Sequence, residues 1–113
     1  FDEIFPFLKD VMQHKNLCMA SIDSISSIDI KKDEPGLVNL SGALGVPYKV
    51  YTADELKKAE GHFKPSPFVE AQVGVDNVCE RAAALSAGHG AVKLVGKMKT
   101  ERVTISIYRK GLR

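Results

Sequence analysis

The sequence has no tryptophan, two cysteines and no block of charge of one sign. Two cysteines are too few for the disulfide framework that holds small secreted domains together. We therefore expect Cys18 and Cys79 to be reduced and buried. Sixteen Lys and Arg residues against fourteen Asp and Glu residues leave a formal net charge of +2. Because nucleic-acid binders carry a concentrated basic face, this balance disfavours a nucleic-acid partner.

Long apolar runs are also absent. The apolar stretches fall well short of the roughly 20 residues that cross a bilayer. The first ten residues are acidic, whereas a secretory signal begins with basic residues. These absences predict a cytoplasmic protein that does not enter a membrane.

Familiar catalytic motifs are missing as well: there is no G-x-S-x-G elbow, no Walker loop and no dinucleotide fingerprint. The three histidines, His14, His62 and His89, have no partner at metal-ligand spacing, so we expect no metal site in the protein. His89 lies between two glycines and is interpreted as a turn residue. Cys79 falls in the first turn of a predicted helix and is interpreted as a small apolar residue rather than a reactive thiolate.

The first half of the chain shows helix and strand patterns in alternation. Apolar residues three and four positions apart predict a helix over residues 2–14, with Pro6 in its first turn and an end at Asn16. Residues 17–22 are predicted to form a strand, followed by a turn-rich stretch. A second helix is predicted to begin between residues 31 and 36, with Asp33 accepting hydrogen bonds from its free amides. Gly45 is its predicted end.

The second half repeats the alternation. Residues 47–51 are predicted to form a strand, and Thr52 begins a capping box with Glu55 for the next helix. Ser66 is predicted to cap a short helix, and residues 77–87 are predicted to form a strong helix that ends at Gly88. Two strands, 91–95 and 103–108, are separated by a charged turn and predict an antiparallel hairpin. Together these patterns predict one layered α/β domain with a mixed sheet.

The start of the 77–87 helix is the first candidate site. Free amides and the helix dipole make such a position favourable for an anion, so the loop 74–77 is a candidate cradle for a carboxylate or phosphate. Asn77 and Glu80 also match a capping box, in which the Glu80 carboxylate bonds back to the Asn77 backbone amide. On the residues alone, capping is the stronger interpretation of Glu80, and acid or base chemistry is the weaker one.

Cations near this helix and the hairpin form a second candidate feature: Arg81, Lys93, Lys97, Lys99 and Arg102. A ligand with several carboxylates would use converging groups of this kind. Charged turns are usually only solvated, and we expect solvation for Lys93 and Arg102. Lys31 and Lys32 have the same two interpretations, solvation or an anion nearby, because they lie before a predicted helix start, which repels cations unless an anion is close.

Three motifs in order carry a family resemblance: DIKKDEPGL (29–37), GVDNVCERAAAL (74–85) and KLVGKMKTERVTISI (93–107), with LGVPYKVYTADEL and PSPFVE between them. In this order they resemble the C-terminal domain of the cobalamin-biosynthesis CbiG proteins, a family that includes the short, stand-alone CobE proteins. The similarity runs from about residue 2 to residue 108. Three ordered motifs are far harder to match by accident than one glycine pattern.

The resemblance implies a three-layer α/β/α sandwich around a mixed, mostly parallel sheet. Members of the family begin with a glycine-rich strand just before the first helix, so the first strand is expected to be missing from this chain. The larger hydrolases of the family also carry an N-terminal domain. Residues 1–113 are therefore expected to be one domain of a two-domain protein, with the N-terminal domain and other cobalamin-pathway enzymes as partners.

The resemblance also implies a reaction in vitamin B12 biosynthesis: cobalt-precorrin-5A hydrolase opens a δ-lactone and releases acetaldehyde to give cobalt-precorrin-5B. By motif position, Glu80 becomes the expected acid or base. The expected substrate-binding residues are Lys31, Glu34, Asp76, Lys97 and Lys99. The cobalt arrives within the substrate, so no further cofactor is expected.

Two other classes of function stay open. The domain could be a non-catalytic module that binds or docks the corrinoid while another domain or partner performs the chemistry. A generic α/β ligand-binding domain is the third interpretation, and the ordered motifs disfavour it.

Overall fold

The computed structural model describes residues 3–100 and 104–110. The helices in these ranges are α1 (Ile4–His14), α2 (Pro35–Leu44), α3 (Ala53–Lys57), α4 (Pro67–Val73) and α5 (Cys79–Ala87). The strands are β1 (Ile25–Ile28), β2 (Tyr48–Tyr51), β3 (Val92–Lys99) and β4 (Thr104–Arg109). Short 3-10 turns lie at Met19–Ser21 and Asp29–Lys31.

The strands of the described residues form two separate two-stranded sheets. Strand β1 pairs with β2 in parallel, and β3 pairs with β4 in antiparallel register. The predicted hairpin is thus confirmed, although β3 continues to Lys99, into residues predicted as the turn. One mostly parallel sheet is not confirmed, because no described strand joins β1 to β4 and the second sheet is antiparallel.

Helix α5 connects the two sheets, because it packs against strands of both. Two apolar clusters form the core. The first contains Leu8, Val11, Met12, Leu40, Val95 and Ile105, and the second contains Ile28, Leu56, Val75 and Ala82. Ile25 packs against the first cluster, whereas Ile28 belongs to the second. Since positions three apart in a strand point to opposite faces, β1 contributes to apolar packing on both of its faces.

Several predicted helix boundaries are confirmed. Helix α1 has Pro6 within its first turn and ends at His14, and Asn16 adopts a left-handed φ of 57° just after it. The capping box is present: the Thr52 amide donates to Glu55 Oε1 at 2.8 Å, and the Glu55 amide donates to Thr52 Oγ1 at 3.1 Å. Ser66 Oγ accepts from the Val69 amide and so begins α4 as predicted.

Other local predictions are wrong. Residues 17–22 contain a 3-10 turn, and the strand lies later, at Ile25–Ile28, in the serine-rich stretch predicted as turns. Pairing with β2 overrides the turn preference of serine there, and a 2.6 Å hydrogen bond between Ser24 Oγ and Ser86 Oγ joins this segment to α5. Glu34 rather than Asp33 holds the N-cap position of α2, and its side chain makes no cap hydrogen bond.

The two cysteines are free, as predicted, but their environments differ. Cys18 is exposed, which contradicts the expectation that it is buried. Of the helices in the described ranges, none combines the length and the hydropathy that a membrane crossing requires.

Gly42, inside α2, and Gly45, just after it, provide a matched test of this fold. Gly45 ends the helix with φ +68°, whereas Gly42 lies inside the helix, and an added Cβ meets no atom within 4 Å at either position. We expect Gly45→Ala to lower the free energy of unfolding by about 1 kcal/mol, because only glycine adopts the left-handed conformation without strain. Gly42→Ala should raise it by roughly 0.5 kcal/mol through helix propensity. Denaturant unfolding of both variants checks this, and changes of the same sign would contradict it.

Candidate functional site

The side chain of Glu80, in the first turn of α5, is 2% exposed and sits among four donors. Its Oε1 accepts from the Lys64 amide at 2.9 Å and from Asn77 Nδ2 at 2.6 Å. Its Oε2 accepts from the Lys97 amide at 3.0 Å and lies 3.2 Å from Lys93 Nζ. We call these five residues the Glu80 cluster. A carboxylate offers about four lone-pair sites, so its acceptor capacity is filled.

Asn77 is fully buried and shares the cluster with Glu80. Its Oδ1 accepts from the Glu80 amide at 2.9 Å, so this half of the predicted capping box is confirmed. The other half is wrong, because the Glu80 carboxylate takes the Asn77 side-chain amide instead of the backbone amide. Asn77 Nδ2 also donates to the Lys64 carbonyl at 2.8 Å and thereby holds the loop before α4.

Lys93 is not merely solvated, contrary to expectation. Besides its ion pair with Glu80, its Nζ donates to the His62 carbonyl at 2.6 Å. The ammonium lies 5.9 Å from the ring centres of both Phe63 and Tyr108. Lys93 therefore joins β3 to the loop before α4. Arg102, for which solvation was also expected, lies outside the described residues.

Lys97 and Lys99 are placed differently from Lys93. The Lys97 backbone binds Glu80, and its partly exposed side chain lies near Cys79, where its charge lowers the pKa of that thiol. Burial has the larger effect and raises the pKa of Cys79 to about 11. The thiol is therefore protonated at neutral pH, in agreement with the interpretation of Cys79 as a small apolar residue. Lys99 is exposed and pairs with Thr104 at the end of the hairpin.

Asp76 forms a second polar group next to the cluster. Its Oδ1 accepts from Arg81 Nε at 2.9 Å, and Arg81 Nη1 donates to the Leu56 carbonyl at 3.2 Å. The Arg81 guanidinium lies 4.7 Å from the centre of the Phe63 ring. Asp76 thus belongs to an ion pair that connects the start of α5 to α3 and to the loop that contains Phe63.

Lys31 and Glu34 lie apart from these groups, between β1 and α2, and both are exposed. Tyr48 Oη donates to the Lys31 carbonyl at 2.7 Å. Burial, and then the charge of Glu34, raise the pKa of Tyr48. Over the described ranges, no hydrogen bond or ion pair links Lys31 or Glu34 to Glu80. A direct contact thus joins Lys97 to Glu80, and Asp76 pairs with Arg81, the residue after Glu80. Lys31, Glu34 and Lys99 are exposed, and Lys31 and Glu34 lie apart from Glu80.

The electrostatics of Glu80 follow from these contacts. Burial raises its pKa, but the bonds from the Lys64 and Lys97 amides, then from Lys93 and Asn77, outweigh burial and hold the pKa below its ordinary value. Burial lowers the pKa of Lys93, but the hydrogen bond to Glu80 together with the charges of Tyr108 and Glu80 outweighs burial, so the pKa is raised. Glu80 is therefore ionised at neutral pH, and it could take a proton from a ligand only after one of its donors moves away.

Sequence reasoning missed two aromatic side chains of this region. Phe63 lies in a loop without periodicity, so no local signal could have placed it against Arg81 and Lys93. Tyr108 is opposite Lys93 in the hairpin register, which a correct pairing of β3 with β4 could have indicated. The Tyr108 hydroxyl is buried and has no hydrogen-bond partner within the described part of the chain.

The histidines and acidic residues offer no metal centre within residues 3–100 and 104–110, where no three His, Cys, Asp or Glu side chains gather. His89 is 93% exposed and lies between Gly88 and Gly90, which both have positive φ. The interpretation of His89 as a turn residue is confirmed.

With this geometry in view, comparisons with known proteins identify the family. The family model "Cobalamin synthesis G C-terminus" matches residues 1–108. The chain belongs to this family. A cobalt-precorrin-5A hydrolase of Salmonella typhimurium is 36% identical over 112 residues, which cover 94% of this chain and 31% of that protein. A cobalt-precorrin-5A hydrolase of Priestia megaterium is 31% identical over 105 residues, covering 93% of this chain and 28% of that protein.

A solved structure agrees with this placement. The crystal structure of CobE, "a protein from the cobalamin (vitamin B12) biosynthetic pathway", matches with a TM-score of 0.85 and 30% identity, over 96% of this chain and 80% of CobE. The CbiG C-terminal chain described here spans less than a third of each of the two hydrolases. This chain is thus similar to most of the CobE protein but to only one part of each hydrolase.

The lowered pKa of Glu80 predicts a pH dependence. A carboxylate with a depressed folded pKa contributes stability that is fully present above its unfolded pKa, about 4.3, and is lost as pH falls through the folded pKa. Glu80→Gln should therefore lower the free energy of unfolding by at least about 1–3 kcal/mol at pH 7, because the amide nitrogen that replaces one oxygen leaves two donors without their acceptor. The difference from the unaltered protein should shrink toward pH 3.

Glu60→Gln is the matched control, because the Glu60 side chain is 84% exposed. We expect its free energy of unfolding to stay close to that of the unaltered protein over the same pH range. Urea unfolding at several pH values measures all three proteins. An effect of Glu80→Gln that is the same at pH 3 as at pH 7 would contradict a native-state role of the ionised carboxylate.

Proposed function

We propose that this chain is the C-terminal domain of a cobalt-precorrin-5A hydrolase, which opens a δ-lactone and releases acetaldehyde in cytoplasmic cobalamin biosynthesis. The observation that carries the proposal is the identity of 36% and 31% to two such hydrolases, each over more than nine-tenths of this chain. Because those hydrolases are about three times as long, an N-terminal domain would complete the enzyme.

In this proposal, Lys97 and Lys99 hold carboxylates at the edge of the corrinoid, and Lys31, Glu34 and Asp76 line the same cleft. Their chemistry supports the assignment of Lys97 and Lys99, because ammonium groups bind acetate and propionate side chains through charge-assisted hydrogen bonds. The Lys97 backbone is anchored by the buried Glu80, so its side chain starts from a fixed position. Lys93 is already paired with Glu80 and is less available to a ligand.

Glu80 is our candidate acid or base by its position in the family motif. Opening a lactone requires a base for water or for a hydroxyl group, and Glu80 is an ionised carboxylate within the cluster. This role needs a substrate that displaces one of its four donors. The cobalt belongs to the substrate, and the proposal requires no metal ligand from the protein.

A second candidate function is favoured by one observation, the complete use of the Glu80 oxygens by protein donors. A carboxylate held in this way positions the residues around it. The domain would then bind the corrinoid without catalysing the reaction, and the base would come from another domain or a partner protein.

Anaerobic titration with cobalt-precorrin-5A separates the two functions, with the corrinoid spectrum and acetaldehyde release followed together. In the full-length protein, a catalytic Glu80 predicts that Glu80→Gln binds the substrate but loses turnover by a factor of about 100 or more. Retained turnover with only a loss of stability would support the binding module. Absence of both binding and acetaldehyde release in the unaltered full-length protein would refute the proposed function.

The lysine assignment generates a separate prediction. Lys97→Gln and Lys99→Gln should each weaken corrinoid binding about tenfold, since a charge-assisted hydrogen bond contributes on the order of 1.5 kcal/mol. Lys58→Gln is the control, because Lys58 is exposed just after α3 and has no assigned role. Equilibrium titration at fixed ionic strength measures the three affinities. Equal affinities for all three variants would exclude the assigned carboxylate anchors.

For the fold, we propose the three-layer α/β/α arrangement around a mixed sheet. It is supported by the two apolar clusters, since α1 and α2 contribute to one, and α3 and α5 contribute to the other.

A further inference from the structure

The loop between α3 and α4 contributes Lys64 to the Glu80 cluster and has unusual backbone contacts. Residues 61–65, which we call the strap, have no regular secondary structure. Within the described part of the chain they make no hydrogen bond from backbone to backbone. None of them belongs to either apolar cluster. Neither strand or helix pairing nor core packing therefore holds the strap in place.

Side chains of the Glu80 cluster hold the strap instead. The Lys64 amide donates to Glu80 Oε1 at 2.9 Å, and the Lys64 carbonyl accepts from Asn77 Nδ2 at 2.8 Å. The His62 carbonyl accepts from Lys93 Nζ at 2.6 Å. Because all three partners belong to one hydrogen-bonded cluster, a change at one of them weakens the attachment of the whole strap.

Phe63 is the large apolar side chain of the strap, and its ring lies against cations. The ring centre is 4.7 Å from the Arg81 guanidinium and 5.9 Å from the Lys93 ammonium group. Cation–π contacts are weaker when the cation is partly solvated, and the Lys93 side chain is 35% exposed. The strap is thus attached by polar and electrostatic contacts, which another charged group can replace.

The two ends of the strap differ in backbone freedom. Gly61 has φ +136°, a conformation that residues with a side chain rarely adopt, and a Cβ there would lie 3.2 Å from Phe63 Cζ. At the other end, the Ser66 amide donates to the Asp76 carbonyl at 2.8 Å, and the Ser66 hydroxyl caps α4. Gly61 is therefore the hinge about which the strap can move while α4 stays in place.

We propose that the strap covers Glu80 in the free protein and is displaced when a carboxylate of the ligand replaces the His62 carbonyl on Lys93. Lys93 is then a further ligand-binding residue. An ammonium group bonds more strongly to an ionised carboxylate than to a neutral carbonyl, so the exchange favours the ligand. The inference rests on the proposed function, because the ligand is the corrinoid with its acetate and propionate groups.

Displacement of the strap also changes Glu80. The Lys64 amide leaves Oε1, which regains a free lone pair for a proton or a water molecule. Of the donors that lower the pKa of Glu80, the Lys64 amide has the largest effect, so its loss makes the carboxylate more basic. One movement therefore admits the ligand and prepares Glu80 as a base, although its oxygens are filled in the free protein.

Limited proteolysis of the full-length protein without ligand tests how the strap is attached. Lys93→Met should speed chymotrypsin cleavage after Phe63 at least tenfold, because the strap loses the His62 contact and one cation beside Phe63. Cleavage after Tyr51, which packs against the second apolar cluster, reports global unfolding and should change far less. Lys49→Met is the matched control, since Lys49 is exposed on β2, and it should change neither rate.

Two results of the proteolysis would overturn the proposal. The first is cleavage after Phe63 that is equally fast in the Lys93→Met and Lys49→Met proteins. The second is equal acceleration after Phe63 and after Tyr51, because Lys93 would then support the whole fold rather than the strap.

Corrinoid affinity in the full-length protein gives a second measurement, and its sign is decisive. Phe63→Ala weakens the closed strap and leaves Lys93 in place, so cobalt-precorrin-5A should bind about three- to tenfold more tightly. Phe68→Ala is the matched control, because Phe68 is 71% exposed on α4 and lies outside the strap. Weaker or unchanged binding by the Phe63→Ala protein would overturn displacement of the strap.

A double variant tests Lys93 as a ligand-binding residue. Adding Lys93→Met to the Phe63→Ala protein should weaken corrinoid binding about tenfold, because the ligand carboxylate loses its ammonium partner. Equal affinities of the single and double variants would exclude Lys93 as that partner.

Failure of the strap and failure of the hydrolase proposal give different results. Absence of corrinoid binding by the unaltered full-length protein would refute the proposed function and, with it, displacement by a corrinoid carboxylate. The proteolysis uses no corrinoid, so slow cleavage after Phe63 in the Lys93→Met protein would refute the strap even where the corrinoid binds and is hydrolysed.

Discussion

The structure around α5 depends on one buried carboxylate. Glu80 receives donors from the loop before α4, from Asn77 ahead of α5 and from β3, so three segments distant in sequence meet at two oxygen atoms. A buried charge is tolerated only when it is paired and hydrogen-bonded, and this one has both forms of compensation. The hairpin is therefore held against α5 by a polar contact in addition to apolar packing.

This constraint determines which cations can meet a ligand. The Lys93 ammonium group forms an ion pair with Glu80, donates to the His62 carbonyl and lies near the rings of Phe63 and Tyr108. Lys97 contributes only its backbone to the cluster, so its ammonium group remains available, as does that of the exposed Lys99. Neighbouring lysines of one strand thus have different roles, which net charge alone does not reveal.

The sequence predicts a helix boundary correctly where the residues that fix it lie within one turn of the helix end. Gly45 and Gly88, Thr52 with Glu55, and Ser66 act within one helical turn, and the structure has these boundaries. The wrong predictions concern residues whose structure depends on contacts with distant parts of the chain. Ser26 and Ser27 form a strand because β2 lies alongside, and Lys93 is bound because α5 places Glu80 beneath it. The spacing of Asn77 and Glu80 predicts a cap, but no local pattern indicates that the Lys64 and Lys97 amides donate to the Glu80 carboxylate.

The two sheets also bear on the cleft that the family resemblance implies. Strand β3 is antiparallel to β4, and the ion pair between Asp23 and Lys110 places the start of β1 near the end of β4. Lys31, just after β1, and Lys97, near the end of β3, both lie toward the C-terminal ends of their strands, where open α/β sheets bind ligands. No described strand joins these two halves, so the packing of α5 against strands of both sheets sets the position of Lys31 relative to Lys97.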